Sequence, residues 1–178
     1  MLLERGLSST TVADVAEAAG VAKGTIYLYF ESKDALLTAL RARYLARFVH
    51  AVDATMTSGR ATPVTRLDRF VDGLFHFSGA NQPLHHVLFH EAGFSESDAF
   101  GEVRLVLEQL VADGVAKGVF TVRHAGAAAS FVLHGLHGLL VDTMHGPTGH
   151  APADARTTSA ARDLARRSLG VRASPSRA

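Results

Sequence analysis

Apolar residues recur along the chain at steps of three and four, and no period-two alternation persists beyond a few residues. That spacing predicts an all-α fold. In "TVADVAEAA", Val12, Val15, Ala16 and Ala19 fall at i, i+3, i+4 and i+7, which makes residues 11–19 a short amphipathic helix. Thr11 and Asp14 have the spacing of a capping box, and Gly20 ends the helix. The pattern resumes over residues 23–30, where Ile26 and Phe30 share the inward face. Ser32 then caps a long helix from residue 33 to about 58, with Leu37, Leu40, Tyr44, Phe48 and Val52 as its inward residues. "SGRATP" at residues 58–63 breaks the chain. Beyond it the periodicity predicts helices at about 64–79, 83–92, 97–117, 123–145 and 153–168, followed by a frayed basic tail, "VRASPSRA".

Two helices of about eight residues joined by a glycine-containing turn form a helix-turn-helix unit, whose second helix enters the DNA major groove. At 100° per residue, "KGTIYLYF" turns Ile26 and Phe30 inward and Gly24, Thr25 and Leu28 outward. Lys23, Tyr27 and Tyr29 flank that outer face, where a lysine and tyrosine hydroxyls hold phosphates while the centre meets base edges. Gly24 lets the backbone approach the groove floor, and Leu28 can touch a thymine methyl. Lys33, at the next helix start, grips a further phosphate. With Thr11 added, the expected DNA-facing set is Thr11, Lys23, Gly24, Thr25, Tyr27, Leu28, Tyr29 and Lys33. The plainer alternative makes the tyrosines packing residues and the lysines solvated charges.

Composition narrows the partners. A net charge of +1 over 178 residues gives no global basic signature, so DNA binding must come from a local surface. The chain has no cysteine, which removes disulfide frameworks and cysteine-ligated zinc, and "MLLERGLSST" lacks the pattern of a signal peptide. The expected location is cytoplasmic. The most apolar stretch, residues 125–144, includes two histidines, an aspartate and three glycines, so no membrane role is expected.

The string "LLERGLSSTTVADVAEAAGVAKGTIYLYFESKDALL" closely resembles the DNA-binding domain of the tetracycline-repressor (TetR) family of bacterial transcription regulators. The match runs from Leu2 to about Leu40. The resemblance implies that Lys23, Thr25, Tyr27, Tyr29 and Lys33 contact DNA, mostly at phosphates, and that Leu28 stands at a variable base-reading position. It also implies a helix-turn-helix domain over residues 1–45 and a helical ligand-binding and dimerisation domain over 46–178. Ala22 stands where the family commonly has serine or threonine, so the recognition helix is expected to lack an N-cap. "MLLERG" matches only the end of the family's first helix, which leaves Val15 and Ile26 with less cover.

In the second region, "VRHAGAAASFVLHGLHGLLVDTM" is apolar nearly all round and must be covered on both sides. Gly135 and Gly138 would allow close approach in a four-helix bundle between two copies of the chain. Nine of the ten histidines lie between His76 and His150. His86 and His90 are at i, i+4, and His134 and His137 are at i, i+3. The expected ligand-binding set is Phe75, His86, Phe89, His90, Leu107, Phe131 and His134, suited to a hydrophobic or amphipathic small molecule. No cofactor and no metal site are assigned, although paired imidazoles can hold zinc.

The sequence therefore predicts a ligand-responsive repressor that binds a palindromic operator as a homodimer. The alternatives are a metal-dependent hydrolase using the histidines and Glu91, a metal-sensing regulator, or a helical dimer that has lost DNA binding.

Overall fold

The computed structural model describes residues 9–57, 60–82, 84, 85, 88, 100–145 and 155–171. Within them lie seven bounded helices and no strand: α1 (Val12–Ala18), α2 (Lys23–Tyr29), α3 (Lys33–Thr57), α4 (Pro63–Ala80), α5 (Gly101–Ala116), α6 (Ala125–His145) and α7 (Ala155–Ser168). Residues 82, 84, 85 and 88 are also helical, the last three of them inside the expected 83–92 element. The start of the expected 97–117 helix and the tail from 172 lie outside the described residues.

Local chemistry sets most boundaries. The Thr11 hydroxyl accepts from the Asp14 N–H at 3.2 Å and the Asp14 carboxylate accepts from the Thr11 N–H at 2.7 Å, which closes the capping box of α1. Gly20, at φ +69°, turns the chain after α1. Ala22 precedes α2 without a side-chain cap, as the sequence predicts. The Ser32 hydroxyl accepts from the Ala35 N–H at 3.1 Å at the head of α3, and Thr62 does the same for Thr65, also at 3.1 Å, with Pro63 opening α4.

Val12 and Ala16 of α1 and Leu37 of α3 are buried in the N-terminal region. The larger core begins at Tyr44 on the same uninterrupted α3 and continues through Phe48, Phe70, Leu107, Leu133 and Leu169. Helix α3 thus belongs to both regions.

Nonlocal contacts tie the later helices together. After α5, Phe120 folds back so closely that a β-carbon at Gly114 would stand 2.1 Å from its ring. The Thr121 N–H donates to the Leu169 carbonyl at 3.0 Å, joining that turn to the end of α7. Arg166 of α7 forks onto Asp68 of α4, with Nε donating at 2.8 Å, and Arg162 pairs with Asp72 at 3.4 Å one turn away. These antiparallel rungs hold α7 along α4.

Among the described residues, helix α6 buries one side only. Ala129, Val132, Leu133, Leu136, His137 and Leu140 are buried, whereas Phe131, His134, Gly135 and Gly138 are exposed. By length and composition, residues Ala125–Thr143 would suffice to cross a membrane, but their inner stripe is core here.

Candidate nucleic-acid interface and effector core

Helix α2 buries none of its side chains completely. Ile26 and Phe30 are partly covered, and Leu28, 82% exposed, points outward. Lys23 Nζ sits 5.9 Å from the centroid of the Tyr27 ring, a cation–π arrangement that holds both on one flank. On the other flank Tyr29 is 77% exposed, because it is the last helical residue and Phe30 turns to extended backbone. Thr25 differs from expectation: it is partly buried, like Ile26, and so flanks the outer face. Gly24 has nothing within 4 Å of a would-be β-carbon, so the backbone there is open to approach. Thr11 is exposed, but its hydroxyl is engaged with Asp14. Lys33 is partly buried at the start of α3.

The second region divides the expected ligand set. Phe75 and Leu107 are buried core residues. His86, Phe89 and His90 lie outside the described residues. Phe131 is 71% exposed on the outer face of α6, and His134 is exposed with Nδ1 2.7 Å from the Ser130 carbonyl. The buried imidazole of "HGLHG" is His137, which joins Leu133, Leu136 and Leu140 on the inner stripe at helical spacing. His85 is buried as well.

Those two histidines belong to a row of rings that sequence reasoning did not assemble. Phe77 of α4 meets Tyr44 of α3 edge-on at 5.0 Å between centroids; Tyr44 lies 5.7 Å from His85, His85 5.9 Å from His137, and His137 4.8 Å from Phe100. The Tyr44 hydroxyl is 3.2 Å from His85 Nδ1 and also hydrogen-bonds Ser78. Burial pushes the Tyr44 hydroxyl far above the usual tyrosine range, so it stays protonated. Arg41, one turn earlier on α3, donates from Nε to the Leu88 carbonyl at 2.7 Å. Burial lowers the Arg41 pKa, while nearby Asp34 acts the other way. The phase of α6 was the available sequence signal, since His137 shares a stripe with three leucines.

Among the described residues no group of three or more His, Cys, Asp or Glu side chains is placed to hold a metal ion.

The N-terminal geometry has a counterpart in known proteins. Residues 1–40 match the family model described as bacterial regulatory proteins, tetR family. Those residues are therefore similar to the N-terminal part of that family. The HTH-type transcriptional repressor KstR2 of Mycobacterium tuberculosis is 38% identical over 90 residues, 48% of this chain and 40% of that repressor. The chain thus spans well under half the length of that curated relative in the match. A probable HTH-type transcriptional regulator, ArpR of Pseudomonas putida, is 25% identical over 76% of this chain and 72% of its own length. The TetR-type fold extends through the second region: the transcriptional regulator FadR from Bacillus subtilis, solved in complex with stearoyl-CoA, superposes with a TM-score of 0.77 at 17% identity, covering 97% of this chain and 94% of its own. These TetR-family relatives are regulators, which speaks against the metal-hydrolase alternative.

Proposed function

We propose that the chain is a ligand-responsive transcriptional regulator that represses by binding a palindromic operator as a homodimer. The observation that carries this reading is α2: a short helix after a glycine turn that presents Lys23, Tyr27, Leu28 and Tyr29 to solvent. On this reading α1 crosses the backbone, α2 lies in the major groove, and Lys33 meets phosphate at the head of α3. Residues 1–45 act as the DNA-binding domain and 46–178 as the ligand-binding and dimerisation domain, in the cytoplasm.

The second copy is proposed to cover the outer face of α6. A groove of about 310 Å³ between α6 and α7 is lined by Phe131, Gly135, Leu139, Ala161 and Leu164, among others, and is apolar throughout apart from Ser168. Gly135 and Gly138 meet nothing within 4 Å, so a partner helix can approach there closely. Phe131, placed by sequence reasoning in the effector pocket, fits this contact better.

The effector is read as a hydrophobic or amphipathic small molecule held in the second region near Phe75 and Leu107. The acyl chain of the stearoyl-CoA in the FadR complex is a ligand of that general kind. An effector that favours the DNA-incompetent spacing by about 100-fold supplies roughly 2.7 kcal/mol of coupling.

The test is a binding selection on randomised duplex DNA with the purified protein. A two-fold-symmetric consensus with half-sites about one helical turn or a multiple apart supports the reading. Failure to enrich any sequence above background overturns it.

A further inference from the structure

Helices α1 and α2 pack on each other, whereas among the described residues neither packs extensively on α3. Between them lies a hollow of about 670 Å³, the size of a small-molecule site. One wall is the end of α1, where Val15, Ala18 and Ala19 fall at i, i+3 and i+4. A second wall is the first half of α3, where Leu36, Leu40 and Arg43 fall at i, i+4 and i+7. Phe30, which ends α2, and Leu84, which follows α4, complete the lining.

The lining chemistry selects the occupant. Val15, Leu36, Leu40 and Leu84 are only partly buried, and Ala18 and Ala19 are exposed, so the hollow leaves apolar surface wetted. Water fills such a space badly, because a held water needs about two to four polar partners and these walls are apolar almost throughout. Arg43 is the one charged side chain among the described lining residues. It is exposed, and among the described residues it has no hydrogen-bond or ion-pair partner. The positions one turn to either side of it on α3 are Ala39, Leu40, Ala46 and Arg47, so its own helix brings it no acid. Arg47 is exposed as well and adds a second positive charge along the same face. An apolar body that ends in an anion fits both the walls and the rim.

We propose that this hollow binds an anionic amphiphile, with its apolar body between α1 and α3 and its head group on Arg43. The site is separate from the effector core near Phe75 and Leu107, and its occupancy does not depend on the DNA-binding reading. An occupant that touches both walls buries apolar surface that each leaves wetted, and so ties the α1–α2 pair to α3. It acts on the joint between the two regions rather than on the core.

The experiment titrates the full chain, without DNA, with decanoate and with decylamine below the concentrations at which either forms micelles, reading heat and the shift in melting temperature. Decanoate should bind about tenfold more tightly than decylamine, because the guanidinium attracts one head group and repels the other. Arg43→Gln should remove that preference, and Arg43→Lys, which keeps the charge, should retain it. Ala18→Phe puts a ring into the hollow from an exposed position, and should abolish binding of both ligands while the protein still melts cooperatively. Hydrogen exchange of the α1 and α2 amides should slow with decanoate in the wild type and not in Ala18→Phe. Equal binding of the two ligands, or binding of neither, overturns the proposal. So does a preference that survives Arg43→Gln, or an affinity that survives Ala18→Phe, since either places the ligand elsewhere, as in the core near Phe75.

Discussion

Leu28 is the most exposed large apolar side chain among the described residues, and it stands between two tyrosines on a two-turn helix. An apolar side chain that reads bases does so by methyl contact, whereas a guanidinium in its place favours guanine. Leu28→Arg should therefore change the selected operator sequence. Tyr27→Phe, which removes a phosphate partner, should weaken all operators alike by about 1 kcal/mol per half-site. An unaltered consensus in Leu28→Arg would show that this face does not meet base edges. A second residue-scale expectation concerns Asp113. The hydrogen bond from Lys117 at 2.8 Å, assisted by the charges of Lys117 and Arg66, holds its carboxyl below the usual carboxylate range against an opposing desolvation effect. Its stabilising contribution is thus present above the ordinary aspartate pKa and is lost as pH falls through the depressed folded value. Lys117→Met should move the Asp113 titration upward, as followed by carboxyl-carbon NMR. The sequence marked histidines as unusual, but it did not identify the buried ones. His134 and His137 are one turn apart on α6, so a rotation of that helix would exchange inside for outside. Only the tertiary phase, set for α6 by Leu133, Leu136 and Leu140, decides.

Helix ends were legible where the stopping signal is local. The Thr11–Asp14 box, Ser32, Thr62 with Pro63, and the glycine after α1 all act within four residues of the boundary they set. The fit of Phe120 over Gly114 and the Thr121–Leu169 bond were not, because each joins segments whose meeting depends on how α5, α6 and α7 pack. Ala22 offers a direct test of capping. Ala22→Ser should supply the absent cap of α2 and raise stability by about 1 kcal/mol, visible as a higher melting temperature. Gly114→Ala tests packing instead. Its methyl would meet the Phe120 ring, displace the turn, and cost about 1–3 kcal/mol in denaturant unfolding.

At the scale of the whole molecule, the proposed dimer rests on the face of α6 and α7 that stays exposed among the described residues. Phe131 and Leu164 line its groove and are 71% and 52% exposed. Phe131→Glu combined with Leu164→Glu should yield a monomer in sedimentation while leaving helical content unchanged, since neither side chain supports the inner core. A variant that sediments as wild type would place the contact elsewhere. The length of α3 has its own consequence for such a pair. Eleven residue steps separate Lys33 from Tyr44 along this one helix, a distance of roughly 16 Å. A tilt of about 10° pivoting at Tyr44 therefore carries the Lys33 end through roughly 3 Å. In two copies related by symmetry the gap between reading heads changes by as much as about 6 Å, against a groove repeat of about 34–36 Å. A core rearrangement no larger than one hydrogen bond is magnified by this beam into a misfit that B-form DNA would have to bend or stretch to accommodate.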